Sequence, residues 1–489
     1  MNKFVRYILF YLAGMLLLLP FWIIGTFGNG VTVEQIIFHL RSGIEAVEAI
    51  DRTLKVSFVQ HVLAMPLLFP LIAAIISIAA ARFARGRSAI VEKLLGISCF
   101  LLLLSGSAYF VYKLHIPQYI ASRFGRDIFS GLYADPSKQR FTPPAKKKNL
   151  VLIYVESLET DLSAIRPRNI NAIREIEELP GYKVKEFLQA PGTGWSIAGI
   201  LSSQSGVPLK PFYYNIKAEG NFMGNFAQKG LCPNLVCVSD ILSRNGYTQY
   251  FLTGPDLKFA DMDKFFSSHH YNYAIGRDEW LKRGVDKSLF TTWGEGIQDD
   301  TLFDEAYRII MTERAMKRPF VVSLITVDTH CPDGFPSPRC NSDEANSSFT
   351  GAFRYTSRQL AAMVRKLMDE GVLEDTEIII MGDHLFMAND EQIRDNLSSD
   401  RRIYFKMITA DKPNPNRDTM THFDIAPTIL DLLGMRKNPE EHFGLGISLF
   451  SKITPEKYSS HLKQVMSDEI LSPSIVYDRF WNTHREAGM

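Results

Sequence analysis

The chain divides into two regimes of hydrophobic patterning. Up to about residue 112 the apolar positions run on with little interruption, whereas beyond Lys146 apolar runs alternate with charged segments in the manner of a globular domain. Three early stretches, Tyr7 to Phe27, Val56 to Ala81 and Ile90 to Tyr112, are long enough to cross a hydrocarbon layer of about 30 Å, which takes roughly 20 helical residues. No small-x-small cleavage site follows Phe27 and two more apolar stretches come after it, so the first is read as a retained anchor rather than a cleaved signal peptide. Lys3 and Arg6 precede the first span, and Arg82, Arg85, Arg87 and Lys93 crowd the loop between the second and third. Basic residues stay on the cytoplasmic side, which places everything after the third span outside the cytoplasm. His61, near one end of the second span, reads as an interfacial histidine.

From Asn149 the period changes. "NLVLIYVES", "PFVVSLITV" and "TEIIIMGDH" are continuous apolar runs of the kind found in parallel strands buried on both faces. "SFTGAFRYTSRQLAAMVRKLMDEG" and "HFDIAPTILDLLG" carry helical spacing. The alternation predicts an α/β fold, a mostly parallel sheet with helices on both faces. Four regions are expected: a transmembrane anchor of three helices over 1–112, an interfacial helix and linker over 113–148, a catalytic domain over 149–451, and a C-terminal extension over 452–489. Aromatic residues interleaved with basic ones before Pro143 and Pro144 suggest that the linker lies along the lipid surface.

Charge and cysteines narrow the function. A formal net charge of +1 offers no surplus of cations for a phosphate backbone, so nucleic acid is excluded as a partner. Cys99 lies within the third span, while Cys232 with Cys237 and Cys331 with Cys340 form two short-range pairs, as expected of disulfides in an oxidising compartment. Neither spacing is the C-x2-C that structural zinc favours.

Ligands gather beyond the carboxyl ends of parallel strands. Three predicted strands end there in Glu156, in Asp328 with His330, and in Asp383 with His384. Asp383 and His384 in one tight loop suit a divalent ion, with Glu156 as a third ligand and one coordination position left for a hydroxyl or a substrate oxygen. In "APGTGWSIAGILSSQSGVPL" the glycines make a turn and Ser196 opens a helix, where backbone N–H groups can hold a phosphate. Ser196 is the candidate nucleophile, Thr193 its rival, and a plain helix cap the bland alternative.

The ordered set "YVESLE", "PGTGWSIAGILSSQSGVPL", "VDTHCPDGF", "MGDHLFM" and "HFDIAPTILDLLG" behind membrane spans resembles the sulfatase-like phosphoglycerol transferases of the alkaline phosphatase superfamily, over roughly Asn149 to Phe450. The resemblance implies Glu156, Asp383 and His384 as ligands of a divalent metal, manganese foremost with magnesium or zinc as alternatives. It puts Ser196, where these relatives usually carry Thr, at the metal-bound nucleophile. It matches His330 to a histidine that contacts the substrate phosphate, and Asp256 and Lys258, more loosely, to a headgroup-binding loop. The activity implied is transfer of phosphoglycerol from phosphatidylglycerol to a periplasmic or surface glycan at a bacterial inner membrane, through a covalent Ser196 intermediate and with release of diacylglycerol. "SIAGI" lacks the x-Pro-x-Arg that follows the modified residue of true sulfatases, which argues against sulfate ester hydrolysis. Two rival readings are phosphoethanolamine transfer to lipid A or another glycan, and an inactive membrane-bound glycan-binding homologue. The last predicts a broken ligand set, whereas all four positions here are chemically competent.

Overall fold

The computed structural model describes residues 2–41, 52–83, 86–166, 169–210, 230–290, 296–341, 348–411 and 413–481. Arg85 of the basic loop and the last eight residues of the predicted extension lie outside them. Among the described residues, three helices are long and apolar enough to span a membrane: α1 (Lys3–Phe27), α3 (Leu54–Phe83) and α4 (Ser88–Lys113). Their large apolar side chains, Phe21, Ile78 and Phe100 among them, point outward, the reverse of a water-soluble bundle. The bundle is joined near its ends by polar contacts. Buried Arg6 of α1 pairs with Glu92 of α4 and donates to Ser77 of α3 at 3.3 Å, and Lys3 adds a second pair to Glu92 at 2.9 Å. In α3 the regular ladder gives way to a wide turn over Val59–Ala64 and a tight one over Met65–Leu67, where Pro66 supplies no N–H. His61 sits in the wide turn, its Nδ1 2.9 Å from the Ser57 carbonyl.

Between α1 and α3 a short amphipathic helix, α2 (Val33–Arg41), leaves the bundle and enters the globular domain, burying Phe38 in that domain's core. It follows a joint built on Gly28 and Asn29. The Asn29 N–H donates to the Met387 carbonyl at 3.0 Å, and Gly28, at φ +91°, lies so close that an added Cβ would sit 2.0 Å from the same oxygen. The predicted interfacial helix is α5 (Ile116–Arg123), flanked by exposed Tyr112 and Phe124.

The globular domain is built on a seven-stranded sheet in the order β2-β8-β7-β1-β6-β4-β5. The strands are β1 (Asn149–Val155), β2 (Tyr182–Lys183), β4 (Thr248–Thr253), β5 (Tyr273–Ile275), β6 (Phe320–Ile325), β7 (Thr376–Gly382) and β8 (Phe405–Ile408). From β7 to β5 the neighbours are parallel, while β8 and β2 form an antiparallel edge. A separate pair joins β3 (Glu186–Leu188) to β9 (Thr419–Thr421). Strand β1 is buried throughout, and its alternate residues feed two cores. Leu150, Leu152 and Tyr154 face one that includes α6 (Ser196–Ser205) and α9 (Ile425–Leu432); Val151, Ile153 and Val155 face the other, which includes α7 (Asp299–Ala315) and α8 (Ser348–Asp369). This is the predicted architecture. Val465 at the end of α10 (Pro455–Val465), with Ile470 and Tyr477 beyond it, packs in the first core, so the residues expected as an extension share a core with α6.

Neither expected disulfide forms: Cys232, Cys237, Cys331 and Cys340 are all thiols. Cys237 is engaged as a helix cap, with its backbone N–H donating to Asp240 at 2.7 Å and its side chain accepting from the helix in return. The Cys331 sulfur lies 3.5 Å from His330 Nδ1.

Candidate active site

Register brings the site together. Val155 pairs with Gly382, so Glu156 and Asp383, the next residue on each of two parallel strands, emerge side by side at the same sheet edge. Gly382 and Gly199 permit the crowding. A Cβ on Gly382 would lie 2.0 Å from the Leu158 carbonyl, and one on Gly199 would lie 2.2 Å from that of Asp383, so the helix that Ser196 opens presses directly on the Asp383 loop.

Ser196 is the first residue of α6, and its Oγ donates to Glu156 Oε2 at 2.9 Å. His384 Nε2 stands 3.3 Å from Glu156 Oε1 and 3.4 Å from Asp383 Oδ2. Its Nδ1 donates to the Leu385 carbonyl at 2.8 Å, which fixes the ring and turns Nε2 into the site. Glu156, Asp383 and His384 are all buried and offer one donor atom each within 4.8 Å of one another. Asp383 Oδ2 has no hydrogen-bond donor, an orphaned buried carboxylate oxygen facing a histidine nitrogen. Two carboxylates and an imidazole with an unsatisfied oxygen fit a divalent cation of manganese or zinc type.

Electrostatics follow from this crowding. Burial opposes the ionised form of Glu156, but His384 and His330 outweigh it and hold the carboxyl below its usual range. Burial and the Glu156 charge push Asp383 up to about 7. Burial disfavours the His384 cation, yet Asp383 and Glu156 raise it to about 10.

Surrounding groups that the sequence did not single out hold these three in place. Ser157 adopts φ 59° in the left-handed region, which lets its N–H reach Asp383 Oδ1 at 2.8 Å while its Oγ donates to Glu156 Oε1 at 2.8 Å. Thr326 and Thr329 bond the Glu156 N–H and carbonyl at 2.9 and 2.8 Å. His422, fully buried against Phe187, donates from Nε2 to the Asp383 carbonyl at 2.7 Å, and its burial lowers it to about 3. The Glu159 carboxylate accepts from the Phe386 N–H and pairs with Arg401, tying the loop after His384 to the exit of β1. All but Phe187 and Arg401 lie within segments already marked in the sequence: Ser157 and Glu159 in "YVESLE", Thr326 in "PFVVSLITV", Thr329 in "VDTHCPDGF", Phe386 in "MGDHLFM" and His422 at the head of "HFDIAPTILDLLG", though none of them carried a role there.

The other predicted residues separate. Thr193 is fully buried and donates to the Ala190 carbonyl at 2.7 Å, inside the turn and away from Glu156. His330 is at the site. Burial opposes its charge, but the Cys331 thiol and the Glu156 carboxylate raise it to about 9. Asp328 is not among the ligand cluster; it is buried beside Asp299, whose N–H it accepts at 3.3 Å. Asp256 accepts from Arg277 at 2.6 Å and from the Lys258 N–H at 2.9 Å, while the Lys258 side chain is exposed. Their loop reaches the site through Phe259 instead, with its ring 6.5 Å from that of His330 and 5.7 Å from that of His39 on α2. A second donor group, Cys237, Asp240 and His269, is already saturated, since the His269 nitrogens lie 3.2 Å from Asp240 and 3.1 Å from the Leu231 carbonyl.

Comparison with known proteins fits this constellation. The family model described as Sulfatase matches residues 148–435, more than half of the chain and all of its acid and histidine cluster. The chain belongs to the sulfatase family. It is similar to phosphoglycerol transferase I of Salmonella arizonae, with 32% identity over 383 residues, 75% of this chain and 46% of the relative. The Escherichia coli protein of that name is 34% identical over 348 residues, covering 68% and 42%. This sulfatase-family chain thus spans less than half the length of the curated relatives it matches. The lipoteichoic acid synthase LtaP from Listeria monocytogenes shares the fold at TM-score 0.50 and 21% identity, over 66% of this chain and 80% of that one.

Proposed function

We propose that the chain transfers phosphoglycerol from phosphatidylglycerol to an exported glycan through a covalent intermediate on Ser196. The observation that carries the reading is the Ser196 hydroxyl at a helix N-terminus, bonded at 2.9 Å to a carboxylate of a buried three-ligand cluster. Similarity to proteins named phosphoglycerol transferase I supports the choice of group. Three spanning helices support a lipid donor, and the basic residues flanking them support an orientation with the catalytic domain in the periplasm.

Glu156, Asp383 and His384 would hold the metal, for which manganese is the proposed ion. Bound there, it would supply positive charge to lower the hydroxyl pKa and neutralise phosphate oxygens. Glu156 orients the Ser196 hydroxyl and is the nearest base for its proton. The N–H groups opening α6 face the developing charge on phosphorus. His330, beside Glu156, is placed to bind a phosphate oxygen. Attack by Ser196 Oγ forms the Ser–phosphorus bond and breaks the bond to the diacylglycerol oxygen, which departs as the alcohol with the proton that Ser196 gave up, and leaves glycerophosphoryl-Ser196. A glycan hydroxyl then attacks the same phosphorus, and the Ser196 oxygen leaves with its proton restored.

The test is headgroup transfer in nanodiscs carrying glycerol-labelled phosphatidylglycerol or ethanolamine-labelled phosphatidylethanolamine. Manganese-dependent release of diacylglycerol from the first lipid alone is expected. Release from the second alone would make the enzyme a phosphoethanolamine transferase, and release from neither would favour an inactive glycan-binding protein.

A further inference from the structure

Behind the turn that leads into Ser196 lies a cavity of about 310 Å³ built by three distant segments. Glu34 comes from the first turn of α2, Gly192 and Trp195 from the catalytic turn, and Met466 and Asp468 from the C-terminal segment. The volume is at the small end of ligand sites, enough for one or two sugar rings. A Cβ on Gly192, which adopts φ +75°, would lie 2.8 Å from the Pro208 side chain and 2.9 Å from that of Leu471, so the wall is packed closely around the glycine.

Three features define what fits. The lining holds two carboxyl groups and no Lys, Arg or His, which repels a phosphodiester and so excludes the lipid donor's headgroup. Burial and then the neighbouring Asp468 charge raise Glu34, opposed by its backbone and Thr32 hydrogen bonds and by Arg123. Trp195 is 4% exposed, and its indole N–H has no acceptor in the structure. Carboxylates that accept from hydroxyls, an indole N–H in want of an oxygen, and a thioether beside them suit a saccharide.

Resting on the transfer reading above, we propose that this cavity binds a neutral sugar unit of the acceptor glycan, anchoring it one or two residues away from the hydroxyl that meets Ser196. It gives the juxtamembrane helix and the C-terminal segment a shared purpose. The acceptor is gripped where the membrane anchor joins the catalytic turn.

The test uses the full chain in nanodiscs, a β-linked glucose trisaccharide as probe, and saturation-transfer NMR with titration, repeated for Glu34→Gln and Asp468→Asn. Saturable binding that weakens at least tenfold in each variant, with unchanged melting temperature and no competition from inorganic phosphate, is expected. Equal binding by both variants, no saturable binding, or displacement of the sugar by calcium alone would overturn the assignment. The Ser196 adduct from phosphatidylglycerol is measured on the same samples. Adduct without sugar binding removes the cavity inference and keeps the donor chemistry; sugar binding without adduct does the reverse.

Discussion

Ser196 and Thr193 lie three residues apart in one turn, and the structure distinguishes them by their partners. Ser196 faces Glu156, whereas Thr193 closes the turn onto Ala190. Ser196→Ala is expected to lower turnover at least a thousandfold in the headgroup assay without loss of folding. Thr193→Ala is expected to cost about 1 kcal/mol of stability, from one buried hydrogen bond, while leaving adduct formation on Ser196 in place; a melting curve and a mass spectrum check the two halves. The proposed metal ligands make a pH prediction. Without metal, His384 is held charged by Asp383 and Glu156, so a cation entering the site must displace its proton. Above the Asp383 value of about 7, affinity therefore rises about tenfold per pH unit for the one proton that His384 releases, and it rises more steeply below that value, where Asp383 must lose its proton as well. Calorimetry in buffers of different ionisation heat counts the proton, and a flat profile would contradict this charge assignment. These ligands were legible in sequence because each follows an apolar strand run. Ser157 was not, because its role depends on a left-handed backbone conformation that no side-chain pattern encodes.

Elements meet at this site more closely than side chains permit. The contact of α6 with the Asp383 loop depends on the missing Cβ of Gly199. Gly199→Ala is expected to destabilise the domain by about 1–3 kcal/mol, as overpacking does, and to reduce bound manganese, measured by denaturation and by metal analysis. Asp299 and Asp328 are buried side by side; burial and then the Asp299 charge raise Asp328, while burial and the Asp300 charge raise Asp299 to about 7. A carboxyl raised on folding contributes its full stability below the unfolded value near 4 and loses it as pH climbs towards 7. Asp328→Asn is expected to raise the melting temperature more at pH 8 than at pH 5. Asp328 ends an apolar strand beside His330 just as Asp383 does beside His384; residue type and strand-end position are the same for both, and only the three-dimensional neighbours separate them. The central strands were readable as apolar runs, whereas the antiparallel edge, β8 and the two-residue β2, is too short to carry a period.

The whole molecule couples a membrane bundle to a catalytic domain through the joint at Gly28 and Asn29. Spans and domain each announced themselves by hydropathy. Their contact did not, since α2 is a nine-residue amphipathic segment whose partner face lies hundreds of residues away in sequence. Gly28→Ala, whose Cβ would meet the Met387 carbonyl, is expected to lower transfer from lipid in nanodiscs several-fold while leaving metal content unchanged. The account as a whole rests on a covalent intermediate. The measurement that tests it most directly is peptide mass spectrometry of the full chain after incubation with phosphatidylglycerol and manganese, beside Ser196→Ala. A glycerophosphoryl mass on the peptide containing Ser196, absent from the variant, is the predicted result. An adduct on Thr193, or manganese-dependent turnover that persists in Ser196→Ala, would contradict it.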